Sequence, residues 1–370
     1  MKRLAEVNSQ DILADALVEN ILDIAIIGAG IAGLTAASRL FAADCKVAVF
    51  EKARGTGGRL SSKRVAYNNA EAMAFDLGCV SIKAQGNAFT EQLARWHDAG
   101  VILPWWSDEF NHTHYVAHPR NSALTRHLSN DIECHFGHRV NSIERKEGIW
   151  HLFELVAGRK KLLARTYQVV LAVPAAQAFD LLPSNHPFKH QLKQVDMAPQ
   201  WVMAVEVDND LSSLPVMQYP ISELIFSISQ ESAKPMRFTN HQSTTVLQIQ
   251  AQSGWSERHL EASTEDISRR LITELELLLK QPLAIMNTYV HRWLYATTRQ
   301  GILAKEGYLL DDEGLALIGD YFCSEAETKA DDFRDASRDS NSYLSGVESA
   351  WLSGQQLAQR LVLNISVADR

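Results

Sequence analysis

The spacing of apolar positions changes in a regular order along the chain. Leu22–Ile27 (LDIAII) is a short, β-branched run that stops at a glycine, the pattern of a buried strand. Ile31–Leu40 is alanine-rich and predicts a helix, and Lys46–Glu51 (KVAVFE) predicts a second strand. Strand, glycine turn, helix and strand within about 30 residues make the βαβ unit of a dinucleotide-binding fold. Ahead of it, residues 1–20 carry Leu4, Ile12, Leu13 and Leu17 at loosely helical spacing, which predicts a short amphipathic helix. Further along, Trp201–Val207 and Thr245–Ala251 are strand-like. Glu265–Leu279 places Ile267, Leu271, Leu275 and Leu278 on one helical face, with Ser263 and Asp266 at capping-box spacing. His138–Ile143 and Leu315–Gly319 predict further strands, and Val347 opens a last helix.

The turn after the first strand is Gly28-Ala29-Gly30-Ile31-Ala32-Gly33, a full GxGxxG. Gly28 permits the tight turn, Gly30 lets the backbone approach a pyrophosphate, and Gly33 lets helix and strand pack closely. The N–H groups at the helix start, from Ile31 and Ala32 onward, attract phosphate. Glu51 ends the second strand 18 residues after Gly33, where its carboxylate can accept both hydroxyls of an adenosine ribose. Lys52-Ala53-Arg54-Gly55-Thr56-Gly57-Gly58-Arg59 follows directly. A second glycine-rich turn, closed by Gly58, suits another close approach to the pyrophosphate, with Arg54 and Arg59 adding charge-assisted bonds.

Composition narrows the class. The 370 residues suggest two domains or one large α/β unit, and 46% apolar with 22% charged is ordinary for a globular chain. A net charge of −8 argues against general nucleic-acid binding. Cys45, Cys79, Cys134 and Cys323 form no CxxC pair, which fits reduced thiols in a cytoplasmic protein. Glu6, Asp11, Asp15 and Glu19 break up any apolar signal core, and Ile24–Ser38 is too short and too polar to span a membrane. His112, His114 and His118, like His135 and His138, lack the further ligands that zinc needs at fixed geometry, so no metal is expected.

The string GAGIAG…FEKARGTGGR resembles the amino-terminal signature of FAD-dependent amine oxidases and phytoene desaturases. Tyr115–Arg126, Val169–Pro174 (VVLAVP), His291–Ala296 (HRWLYA), Ile318-Gly319-Asp320 and Val347–Gly354 (VESAWLSG), in that order, resemble bacterial renalases over most of residues 22–362. The resemblance implies an α/β fold like that of p-hydroxybenzoate hydroxylase, with a Rossmann-type FAD domain and a sheet-rich substrate cap. The FAD domain would take 21–95, 120–180 and 285–370, and the cap 96–119 and 181–284, after a helical extension at 1–20.

Cofactor contacts carry over to Gly28, Gly30, Gly33, Glu51 and Arg59, with Val140 at the adenine and Asp320 at the ribityl chain. Val347, Glu348 and Ala350 would open the helix whose dipole favours reduced flavin. FAD would be noncovalent, because Cys323 lacks the glycine–serine context of covalent attachment. Trp293, Tyr295, His118 and Arg120 would face the substrate, with Trp105 and Trp106 in the cap. The implied reaction oxidises 2- or 6-dihydro isomers of NAD(P)H by hydride transfer to flavin N5, with dioxygen reoxidising the flavin to give hydrogen peroxide. It needs no general base, so no side chain is assigned as catalytic.

Two departures stand out. Cys79-Val80-Ser81 replaces the alanine-glutamine-tyrosine of renalases, and 26 residues with six acids separate Asp320 from Val347. The first keeps open an amine oxidase or desaturase on another small reduced substrate. The second keeps open a low-turnover flavin protein acting through the acidic 321–346 segment, as well as a lid over the pocket.

Overall fold

The computed structural model describes residues 20–65, 73–237, 244–323 and 346–368. The expected amphipathic helix before residue 20, and the acidic stretch 324–345, lie outside the described residues. In chain order, β1 (Ile21–Ile27), the helix Ile31–Phe41 and β2 (Val47–Glu51) form the expected βαβ unit. Two short antiparallel pairs follow, β3 (Ser62–Val65) with β4 (Met73–Asp76), and β5 (Ile102–Ser107) with β6 (Thr113–Ala117). The chain then runs through β7 (Glu133–Phe136), β8 (Ser142–Lys146), β9 (Ile149–Val156) and β10 (Arg159–Leu171). β11 (Asp196–Val207), β12 (Met217–Gln218), β13 (Ile225–Gln230), β14 (Thr245–Ala251) and β15 (Ile285–Gln300) build a second sheet. β16 (Ile302–Leu303), β17 (Leu309–Leu310), β18 (Leu315–Leu317) and β19 (Phe322–Cys323) lead to the closing helix Val347–Ala368.

The first sheet is ordered β17-β18-β10-β1-β2-β7, with β9 pairing β10 and β8 pairing β9. β18, β10, β1, β2 and β7 are parallel, and a parallel sheet needs cover on both faces. That requirement explains why LDIAII does not alternate. Ile24 and Ile26 pack with Leu34 of the helix Ile31–Phe41 and with Trp351 and Leu357 of the closing helix. On the opposite face, Ala25 and Ile27 join Phe50, Trp150 and Leu192.

The second sheet is antiparallel, ordered β12-β13-β14-β11-β15. Alternation in β14 sends Leu247, Ile249 and Ala251 into one core with Ile267, Leu271 and Leu275 of the helix Thr264–Leu279. The Ser263 hydroxyl accepts the Asp266 N–H at 3.2 Å, so the predicted cap is in place, and Leu278 packs at the edge of that core. The other face of β14 is polar, yet it meets protein. Gln248 donates to the Asp76 carbonyl and Gln250 to the Gly78 carbonyl, each at 2.7 Å.

Three segments pack differently from the expected division. Residues 285–300 were expected with the nucleotide-binding unit, but β15 pairs with β11 along its length and belongs to the second sheet. Residues 96–119 were expected in the cap, but Trp96, Ile102 and Ala117 are buried in the core beside β1. Leu182, Phe188 and Leu192 likewise fill the opposite face of the first sheet. In the last two cases the apolar side chains follow the parallel sheet that needs cover. The strand expected over His138–Ile143 begins only at Ser142, and Val140 is buried in the connection before it.

Buried charges tie the second sheet to the β3–β4 pair. Asp76, Glu231 and Lys234 have side chains no more than 1% exposed, and Arg237 only 7%. Lys234 Nζ lies 2.9 Å from Asp76 and also pairs with Glu231, while Arg237 reaches Asp76 at 2.7 Å. Ser62 donates to Asp76 at 2.7 Å, and the Asn121 N–H does so at 2.9 Å. Burial pushes the Asp76 carboxyl up, but Lys234 and Arg237 more than reverse this and hold it below its usual range. Removing one partner from a buried ion pair costs about 3–5 kcal/mol, because the remaining charge has no water to turn to. Asp76→Asn should therefore lower the unfolding free energy in urea by about that much. A change below about 1 kcal/mol, the range of an exposed pair, would show that the cluster carries no stability.

Candidate functional site

A cavity of about 740 Å³ opens between the two sheets, a size suited to a cofactor or small molecule. One end comes from the βαβ unit. Gly28 has φ of +110°, and a Cβ there would sit 2.4 Å from the Ala172 carbonyl oxygen. A Cβ on Gly33 would sit 2.2 Å from the Gly28 oxygen, so strand and helix approach as the motif predicts. Gly30 differs: a Cβ there would meet nothing within 4 Å, and the residue lines the cavity with Ile31 and Ala32. Gly30 gives the helix no side-chain cap, which leaves the first turn at the cavity able to receive an anion.

Glu51 lines the same end. Its carboxylate accepts the Ala29 N–H at 2.9 Å and the Ala53 N–H at 2.8 Å, which ties the two glycine-rich turns together. Lys52 and Gly58 also line the cavity, and Lys52 donates to Gln177 at 2.9 Å. Burial, and then Arg139, lowers the Lys52 pKa. Arg54 is exposed, and neither it nor Val140 lines the cavity.

Arg59 and Asp320 both line the cavity, but their charged ends meet each other. Arg59 Nη1 donates to Asp320 Oδ2 at 2.6 Å and to the Ala296 carbonyl at 3.0 Å, and Nη2 pairs with Oδ1. Burial weakens the guanidinium, yet Asp320 outweighs it and raises the Arg59 pKa. Val347, Glu348 and Ala350 line the wall where the closing helix starts. The Glu348 carboxylate accepts the Gln85 N–H at 2.6 Å and the Gly86 N–H at 2.8 Å.

β15 is an edge strand, and its residues 291–297 form the wall facing the nucleotide turn. Trp293 and Tyr295 are both there, with Trp293 Nε1 donating to the Leu77 carbonyl at 3.0 Å. Burial, and then Lys63, lowers the His291 pKa. His118 and Arg120 do not line the cavity. The turn that carries them lies beside the Asp76 cluster, where Arg237 bonds the Pro119 carbonyl. Burial, and then Arg237, lowers the Arg120 pKa. Trp105 sits under Lys234, with the ammonium 5.3 Å from its ring centre.

Sequence reading missed the amide side chains of this wall. Gln200 and Gln252 line the cavity, each donating its Nε2 to a backbone carbonyl, as does Gln250. The signal was present in the alternation of β14, whose polar set reads as solvent-facing until the first domain is placed against it. Cys79 and Ser81 also line the cavity, while Val80 is buried. Among the described residues, no three His, Cys, Asp or Glu side chains gather as a metal site. No described helix is long and apolar enough to cross a membrane.

Residues 26–95 match the family model of the NAD(P)-binding Rossmann-like domain. Several solved structures share the whole fold. Cyclohexylamine oxidase from Brevibacterium oxydans IH-35A is 12% identical over 94% of this chain and 100% of its own, with a TM-score of 0.60. A candidate protoporphyrinogen oxidase from Exiguobacterium sp. 255-15 is 11% identical over 93% and 99%, also at 0.60. p-Nitrophenol 4-monooxygenase from Pseudomonas putida DLL-E4 is 12% identical over 94% and 81%, at 0.55. At these identities the likeness is one of fold, a Rossmann-type nucleotide domain joined to a second, sheet-rich unit.

Cys79 gives a direct check on how closed this wall is. Its Sγ donates to the Ser81 carbonyl at 3.0 Å, and burial pushes the thiol up to about 12. At pH 8.5 only about one such thiol in a few thousand is ionised, and the thiolate is the reactive form. Iodoacetamide at that pH should leave Cys79 unmodified in the folded protein and modify it in denaturant, by peptide mass mapping. Modification of both at the same rate would contradict a thiol held in the wall with its proton.

Proposed function

We propose that this chain is an FAD-dependent oxidoreductase that removes a hydride from a small reduced donor held in the cavity. The observation that carries the reading is one continuous cavity running from Gly30 and Glu51, past Arg59 and Asp320, to the start of the closing helix. The open space at Gly30 suits a pyrophosphate, and Glu51 at the end of β2 suits the adenosine ribose. Arg59, Asp320 and the helix start at Val347–Ala350 would hold the ribityl and flavin end. When bound, FAD supplies the acceptor for two electrons and passes them to dioxygen, giving hydrogen peroxide.

The donor we favour is a dihydronicotinamide, the 2- or 6-dihydro isomers of NAD(P)H. Trp293 and Tyr295 offer flat apolar surface to a pyridine ring and exclude water from it. The charges point the same way. Glu51, Asp320 and Glu348 are the carboxylates lining the cavity, and each is engaged with a backbone N–H or with Arg59. Among the described residues no further carboxylate lines the cavity to neutralise a substrate ammonium, which weighs against a protonated amine as donor. Lys52 lines the same cavity and bonds the neutral Gln177 amide, which favours a donor that carries phosphate, while Lys83, Arg292 and Arg299 there are paired with Asp108, Glu261 and Glu257.

Anaerobic mixing of the FAD-loaded protein with borohydride-reduced NAD⁺ tests both parts, read as loss of flavin absorbance. Rapid bleaching by the 2- or 6-isomer, with little from ordinary NADH, is the expected result. A yellow protein that ignores every isomer but bleaches with benzylamine would move the donor to the amine class. A protein that takes up no FAD would overturn the reading altogether.

A further inference from the structure

Ser81, His114 and Asp108 form a hydrogen-bonded chain that dihydronicotinamide oxidation does not use. Ser81 lines the cavity, and its Oγ lies 2.9 Å from His114 Nδ1. His114 is 7% exposed, and its Nε2 lies 3.4 Å from Asp108 Oδ2. The backbone sets the first contact. Ile82 and Tyr115 exchange both N–H···O bonds at 2.8 Å in an antiparallel bridge, which puts Ser81 and His114 on one face as diagonal neighbours. Trp106 stacks on the imidazole with ring centres 4.2 Å apart and fixes its plane.

The charged neighbours decide where the proton sits. Asp108 accepts the Phe110 and His112 N–H groups and the His112 ring, with Lys83 at 3.5 Å, and together these hold its carboxyl well below the usual range despite some burial. Burial lowers the His114 pKa, Lys83 and His112 add to that, and Asp108 opposes it. An ionised Asp108 can only accept, so His114 carries its proton on Nε2. Nδ1 is then a lone pair, and the Ser81 hydroxyl donates to it. This is the resting arrangement of a base, with its far side open to solvent through Asp108 and the exposed His112.

We infer that Ser81 and His114 form a general-base pair, which lets the same cavity oxidise a second class of donor, a neutral alcohol. The inference rests on the flavin reading above and goes beyond its donor. Oxidation of a carbinol to a carbonyl takes a hydride from carbon, accepted by the flavin, and a proton from oxygen. That proton passes to Ser81 Oγ as the Ser81 proton passes to His114 Nδ1, and the imidazolium so formed is balanced by Asp108. Ser81 is the catalytic residue here, and His114 and Asp108 are positioning residues acting through it. An ammonium donor would arrive already charged, and among the described residues each carboxylate of the wall is already engaged.

The test compares two donors on one holoenzyme. FAD-loaded protein is mixed anaerobically with benzyl alcohol or with the borohydride-reduced NAD⁺ mixture. Benzyl alcohol should bleach the flavin and yield benzaldehyde, at a rate that rises through a pH below 6.5 and is then level. His114→Gln should lower the ratio of alcohol to dihydronicotinamide bleaching by about 100-fold, the usual scale of general-base catalysis. Ser81→Thr, which keeps a hydroxyl, should retain more of that ratio than Ser81→Ala. Nitrogen NMR of the labelled histidines, without any donor, should find His114 neutral at pH 7 with its proton on Nε2. Bleaching by the isomers but not by benzyl alcohol, equal loss for both donors in His114→Gln, or a proton on Nδ1 would each overturn the pair. Failure with both donors would instead overturn the flavin reading on which it rests.

Discussion

Two carboxylates and two cations, withdrawn from water at Asp76, Glu231, Lys234 and Arg237, set how the second sheet sits on the β3–β4 pair. The desolvation of such groups is offset only if every partner is in place, so the geometry has little tolerance. The two acids respond in opposite senses. Asp76 is held below its usual range by its cations, while burial and the repulsion from Asp76 lift Glu231 above its own. The cluster also binds backbone: Glu231 accepts the Asp76 N–H at 3.0 Å. Residues 76–82 run from this anchor directly along the cavity, so the position of Cys79 and Ser81 is inherited from it.

The same logic governs the cavity itself. Its carboxylates are consumed in holding the wall together: Glu51 joins two turns, Asp320 restrains Arg59, and Glu348 ties the closing helix to Gln85 and Gly86. A site in which acids are spent on architecture presents cations, amides and aromatic faces to whatever enters. On a chain of net charge −8, the described lining of the cavity carries five lysines and arginines against three carboxylates.

What could be read from the sequence was what is local. The βαβ unit, Glu51, and the Ser263-capped helix each lie within a few tens of residues, and each follows from periodicity or a short motif. The Asp76–Lys234 pair spans 158 positions, and no spacing rule reaches that far. His118 and Arg120 were misplaced for a related reason. They follow β6 directly, but the chain turns there toward the buried charges and away from the cavity. His114 was set aside only as a metal ligand, because alternation along a strand tells which residues share a face, not what covers that face. Only the bridge between Ile82 and Tyr115 reveals Ser81 as its neighbour. The departure at Ser81 was visible, while the partner that gives it meaning was not.

β11 and β15 remain paired to their outer ends, where Asp196 stands opposite Gln300. The chain thus leaves the nucleotide fold and returns to it through a single doorway. Such an arrangement is that of an insert: a hundred residues could in principle have been received, exchanged or lost there without rerouting the parallel sheet. The charges at Asp76 make that exchange a joint one. A foreign insert would leave Asp76 buried without its cations, so any lineage that replaced the second sheet would have had to change the end of β4 at the same time.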